Sequence, residues 1–157
     1  MAKIEAKNTL GEKLLHAAYL LAVPILAISF AWAAVLKIID IQGTLVTINA
    51  YRIVPLFFAP FIALLLPFVE LTMAVFLISG PQIYRKTAAF ILGALLIIFM
   101  LAALQGLVRD LDFSCGCFGF GKEAERPDIF FFLRDLALTA LAGIILLSSK
   151  TWPTLRA

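Results

Sequence analysis

Four long apolar stretches constrain this chain more than any other feature of its sequence. A transmembrane helix needs about 20 consecutive, mostly apolar residues. The second stretch is interrupted only by Glu70, and the fourth carries Arg134 and Asp135 near its start. Because only helices and closed barrels satisfy their backbone in lipid, we expect an all-α integral membrane four-helix bundle. The chain forms one domain over 1–157, with spans at about 14–36, 54–79, 87–108 and 129–149.

The composition supports a membrane protein and excludes several other classes. Hydrophobic residues make up 63% of the chain and charged residues 15%, with a mean hydropathy of +1.04. Soluble domains carry about 45–50% apolar and about 25% charged residues, so a soluble enzyme and a disordered chain are both excluded. The net charge of +3 is too small to indicate nucleic-acid binding. Two cysteines and one histidine are too few for a structural zinc site built from Cys and His.

The three connections between the spans differ in length and content. Residues 80–86 form a short hairpin, and residues 40–53 are long enough for a short helix at the membrane interface. Residues 109–128 form the longest connection and contain both cysteines. A long loop without periodicity in a compact protein is more often functional than not, so this loop is the first place to look for a site.

The basic residues predict an orientation in the membrane. An even number of spans puts both termini on one side, and cytoplasmic loops carry the excess of Lys and Arg. One side has seven basic residues, namely Lys3, Lys7, Lys13, Arg85, Lys86, Lys150 and Arg156. The other side has four to six, drawn from Lys37, Arg52, Arg109, Lys122, Arg126 and Arg134. We therefore expect both termini in the cytoplasm and the cysteine loop on the periplasmic or extracellular side of the cytoplasmic (inner) membrane, where disulfides persist.

The Cys115-Gly116-Cys117 segment has three interpretations. A structural disulfide would close a ring of only three residues, for which the loop-entropy relation gives roughly 1.6 kcal/mol, and strain offsets that gain. Ordinary buried thiols fit poorly with a glycine-rich loop. The third interpretation is chemistry: two thiols this close can exchange between a dithiol and a strained disulfide, or bind a soft cation such as Cu(I) or Hg(II).

Ionisable residues inside the spans are costly in lipid, which makes them candidate site residues. Lys37 and Asp40 are spaced to pair on one helix face, whereas the adjacent Arg134 and Asp135 are expected to have different partners. In the predicted topology these four residues lie at the same end of the bundle as the cysteines, where a nearby cation would favour the thiolate. Snorkelling of the cations to the interface is the alternative. Glu70, near the middle of the second span, is expected to lie apart as a buried proton acceptor or a helix-packing residue.

The chain resembles the MauE branch of the MauE/DoxX family of redox-associated membrane proteins over about 29–147. The most specific match is Cys115-Gly116-Cys117-Phe118-Gly119. Supporting matches are Lys37, Asp40, Tyr51, Pro55, Pro67-Phe68-Val69-Glu70 and Leu133-Arg134-Asp135-Leu136. The chain departs from the family in having Gly106 before Arg109 where Arg-Gly is expected, and Asp135 where Asn is expected.

The resemblance implies a small four-helix membrane protein of thiol–disulfide exchange, with a thioredoxin-like partner or disulfide-containing periplasmic proteins as clients. As an enzyme it would be a thiol–disulfide oxidoreductase. The architecture is also similar to that of DsbB and vitamin K epoxide reductase, which makes a quinone the candidate electron acceptor. We expect Cys115 and Cys117 to be the exchanging pair, supported by Lys37, Asp40, Glu70, Arg134 and Asp135. The alternative function is binding or transport of a soft metal ion or sulfur species by the same dithiol.

Overall fold

The computed structural model describes residues 2–109 and 129–147, with side chains from residue 14 onward in the first helix. This part of the chain folds into five helices: α1 (Ala2–Ile39), α2 (Ile41–Ala50), α3 (Ala59–Ser79), α4 (Gln82–Val108) and α5 (Ile129–Leu147). Within the described ranges, α1, α3, α4 and α5 are long and apolar enough to cross a membrane. The predicted four spans are therefore confirmed, as is the short helix between the first and second.

The four spans follow one another around the bundle in chain order. α1 packs against α3 and α5, and α4 packs against the same two helices from the other side. The short helix α2 packs mainly on α3. This arrangement gives every span two neighbouring spans and leaves a central interior to which all four contribute.

Small residues line much of the interior, whereas the bulky apolar side chains point outward. The core combines alanines of every span with larger residues, among them Leu26, Leu77, Leu92 and Ile145. Many of the other leucines, isoleucines and phenylalanines are exposed, as expected for a surface solvated by lipid. Small side chains let helix backbones approach closely, which drives association in membranes. At Gly93 an added Cβ would lie 3.3 Å from the Cβ of Ala142, so α4 and α5 are in close contact there.

The helix boundaries differ from the sequence prediction at the start of the second and third spans. α3 begins at Ala59 instead of 54, because the chain turns after α2, where Arg52 has a left-handed φ of 51°. α4 begins at Gln82 instead of 87, with Pro81 preceding its first turn. Arg85 is therefore a buried helix residue and not part of a hairpin, and its Nη2 donates to the carbonyl oxygen of Ile78 at 2.8 Å.

The end of α1 lies beside the middle of α3, which places Lys37 deeper than the sequence suggested. Lys37 is close to the last residue of α1, yet it contacts Glu70, which is eleven residues into α3. At a rise of 1.5 Å per residue, Glu70 lies about 16 Å along the helix axis from the start of α3. α2 occupies the level beyond the end of α1, and Tyr51 at its C-terminal cap packs with Ala102 of α4.

Candidate functional site

A buried ion pair joins α1 to α3. The Nζ of Lys37 donates to both carboxylate oxygens of Glu70, at 2.7 and 2.8 Å. The two side chains are only 6% and 0% exposed. The ring of Phe99 on α4 lies against the same ammonium, 5.4 Å from Nζ to the ring centroid. A charge inside lipid is tolerated when it faces the bundle interior and is paired, and this pair meets both conditions.

This ion pair overturns two expectations about the charged residues. Lys37 pairs with Glu70 and not with Asp40, and Glu70 is not isolated from the other charges. Asp40 instead caps α2: its Oδ1 accepts from the N–H of Gly43 at 2.8 Å. The side chain of an N-cap residue turns back toward the first amides of its own helix, which directs Asp40 away from a role as partner of Lys37.

A second ion pair lies within α5. The Nε and Nη2 of Arg134 both donate to Oδ1 of Asp135, at 3.0 and 2.8 Å. Adjacent residues on a helix point in different directions, but the long arginine side chain folds back across this angle. The expectation that these two residues have different partners is therefore wrong. The Asp135 side chain is 3% exposed and the Arg134 side chain 36%, and the guanidinium carbon lies 5.1 Å from the centroid of the Phe131 ring.

Both ion pairs line one cavity between the four spans. Its volume is about 20 Å³, and among the described residues its polar lining consists of Lys37, Glu70, Arg134, Asp135 and Ser29. The remaining lining is apolar and comes from Phe30, Ala33, Leu96, Phe99 and Leu138. We call Lys37, Glu70, Arg134 and Asp135 the charged cluster; it carries two positive and two negative side chains.

Sequence reasoning identified all four members of the charged cluster but missed its apolar neighbours. Phe99 and Phe30 lie in apolar stretches that contain many similar residues, so no local signal distinguishes them. Cys115 and Cys117, the predicted exchanging pair, lie outside the described residues. The segment that carries them joins α4 to α5, and α5 brings Arg134 and Asp135 into the cluster within two turns of its first residue.

The cavity does not fit a quinone ring. A volume of about 20 Å³ is far below the roughly 150 Å³ cavity that accommodates benzene in a protein core. The four charged side chains are also already paired with one another.

The fold and the charged cluster together define a class: a multi-pass helical membrane protein with paired charges buried between its spans. A family model described as methylamine utilisation protein MauE matches residues 15–148. The chain belongs to this MauE family, as its Cys-Gly-Cys-Phe-Gly segment and charged span residues had suggested.

A curated relative from Paracoccus denitrificans, methylamine utilization protein MauE, is 33% identical to the chain over 118 residues. The aligned region covers 74% of this chain and 62% of the relative, so the match spans less than two thirds of the relative's length. No solved structure matches the chain.

Proposed function

We propose that this protein is a thiol–disulfide redox protein of the cytoplasmic membrane, with Cys115 and Cys117 as the exchanging pair. A thiolate of the pair attacks a disulfide of a thioredoxin-like partner or of an exported client protein. A mixed disulfide forms and the partner's other sulfur leaves as a thiolate. The second cysteine then displaces the partner, which carries away the electron pair as a dithiol, and the reaction also runs in reverse.

The Cys-Gly-Cys spacing is the observation that carries this proposal. A disulfide across one intervening residue is strained, and strained disulfides have high reduction potentials and exchange readily. Membership of the MauE family supports the same chemistry, because the most specific resemblance of the sequence is this motif. Exported proteins acquire disulfides outside the cytoplasm, which agrees with a cysteine loop on the outer face.

The charged cluster supports the proposal through its place in the chain. Arg134 and Asp135 belong to the helix that directly follows the cysteine segment. The Lys37–Glu70 pair joins α1, which packs against that helix, to α3. We propose that the cluster holds α5 in place below the cysteines. Among the cations, Arg134 is the better candidate to favour a thiolate, because its side chain is far more exposed than that of Lys37.

Trapping of mixed disulfides tests the exchange reaction directly. In a Cys117→Ser variant, no second thiol is present to release the partner from its mixed disulfide with Cys115. We therefore expect a covalent adduct that disappears on reduction. The Cys115→Ser variant tests the opposite assignment, and the Cys115→Ser/Cys117→Ser variant is the control. Non-reducing electrophoresis of membranes followed by mass spectrometry identifies the partner.

Two results would contradict this function. The first is the absence of any reducible adduct in both single variants while the protein is present in the membrane at its normal amount. The second is tight binding of one Hg(II) or Cu(I) ion per reduced protein without exchange activity. That result would favour the soft-metal alternative, in which the same two sulfurs act as ligands.

A further inference from the structure

Lys37 and Asp135, which belong to different ion pairs of the charged cluster, line the same small cavity. A lysine ammonium carries three N–H donors, and among the described residues the Nζ of Lys37 donates to the two oxygens of one carboxylate, that of Glu70. The Nε and Nη2 of Arg134 donate to Oδ1 of Asp135. Among the described residues, none donates to Oδ2 of Asp135. One donor from α1 and one acceptor from α5 therefore remain at a cavity that both residues line.

The size and chemistry of this cavity match a single water molecule. A water needs roughly 10–15 Å³ of cavity and two to four polar partners, and the cavity has about 20 Å³. The third ammonium proton of Lys37 is a donor, Oδ2 of Asp135 is an acceptor, and the hydroxyl of Ser29, which also lines the cavity, can be either. An unsatisfied polar group is costly in a protein interior, and more so where lipid surrounds the bundle.

We propose that this cavity is a binding site for one internal water molecule, which accepts from Lys37 and donates to Asp135. The water joins the Lys37–Glu70 pair to the Arg134–Asp135 pair and so connects α1, α3 and α5 through one hydrogen-bonded network. Phe30, Leu96 and Leu138 supply apolar lining beside it. This inference does not depend on the cysteines or on the proposed thiol chemistry.

Radiolytic hydroxyl labelling tests for the water, because a bound water generates radicals that modify the side chains beside it. Two leucines on α4 serve as matched reporters: Leu96 lines the cavity and Leu92, about one turn earlier, does not. Both are buried, at 4% and 0% exposure. We expect several-fold more modification of Leu96 than of Leu92 in the purified full-length protein.

Variants that fill the cavity distinguish labelling by a bound water from labelling by general access of solvent to the bundle. Ala33→Val adds two carbons at a lining position of α1, whereas Ala27→Val adds the same two carbons in the apolar core of that helix. We expect Ala33→Val to reduce Leu96 modification several-fold and Ala27→Val to leave it unchanged. Should Ala33→Val fail to fold, Ser29→Val fills the cavity from the same helix and removes one hydrogen-bonding partner of the water. Equal modification of Leu96 and Leu92, or an equal effect of the lining and core variants, overturns the proposal.

Discussion

At the scale of single residues, each of the two cations of the charged cluster is paired with a carboxylate. Lys37 is paired with Glu70 and Arg134 with Asp135. The cost of charge in lipid identified these residues from the sequence, because that cost depends only on residue type and position in a span. Their partners could not be predicted in the same way. Lys37 and Glu70 are 33 positions apart, and their contact depends on how α1 packs against α3.

Removing one member of the buried ion pair should destabilise the protein more than removing both. Lys37→Met leaves the Glu70 carboxylate without its partner, which typically costs roughly 3–5 kcal/mol of unfolding free energy. Replacing the whole pair, as in Lys37→Met/Glu70→Leu, removes the unpaired charge and should recover most of that loss. Unfolding in detergent micelles, followed by circular dichroism, measures the difference.

The matched control for this pair is Glu70→Leu alone, which leaves the Lys37 ammonium unpaired and should be as damaging as Lys37→Met. A double variant less stable than either single variant would mean that the two side chains contribute independently. The ion pair would then not be the unit that joins α1 to α3.

At the scale of helices, one aspartate separates α1 from α2. Asp40 ends the first span and caps the next helix, with its side chain on the N–H of Gly43. Gly43 permits this cap, because an added Cβ would collide with the Asp40 carboxylate. The break lets α1 end beside the middle of α3, while α2 continues over α3 toward Ala102 of α4.

Substitutions of Asp40 and Gly43 should have non-additive effects on the free energy of unfolding, because both residues form the cap of α2. Asp40→Ala should cost about 1 kcal/mol of unfolding free energy, the typical value for an N-cap, and Asp40→Asn should retain most of the cap. Gly43→Ala should destabilise the protein by displacing Asp40. In an Asp40→Ala background the same Gly43→Ala change should stabilise it, since alanine is the better helix former by about 1 kcal/mol. Unfolding of the four variants and amide exchange at Gly43 measure this; additive effects would contradict the cap.

Two glycines in neighbouring spans should respond oppositely to the same substitution. Gly93→Leu should separate α4 from α5, because even a Cβ there lies 3.3 Å from Ala142. Gly143→Leu should be tolerated, because nothing lies within 4 Å of a Cβ built at that position. Thermal unfolding of both variants in detergent compares them directly. Similar losses of stability would show that the α4–α5 contact does not depend on close approach at Gly93.

At the scale of the whole molecule, the four spans form a closed ring and the charged cluster lies between all of them. Each span contributes to the cavity lining, and the outward faces carry the bulky apolar residues. One end of the bundle is formed by the α3–α4 turn. The other is where α4 ends and α5 begins, and the cysteine segment joins these two helices there.

The proposed orientation predicts opposite labelling of the two ends of the bundle. A membrane-impermeant maleimide added to intact cells should modify reduced Cys115 and Cys117 from outside. A single cysteine introduced by Pro81→Cys, in the exposed turn between α3 and α4, should react only after permeabilisation when both native cysteines are serine. The reverse pattern would contradict the proposed orientation. The experiment is needed because Arg85 is buried, which reduces the excess of basic residues on the proposed cytoplasmic side.

The sequence alone determined that the protein lies in a lipid bilayer, how many times it crosses it, its family and the residues of the charged cluster. These properties depend on local composition: about 20 apolar residues predict a span, and a charge within it is costly wherever its partner lies. Tertiary structure decided the pairing of Lys37 with Glu70, the capping role of Asp40, the burial of Arg85 and the order of helices around the bundle. Each of these depends on contacts between segments far apart in the chain, and the rotation and depth of each helix are set by its neighbours.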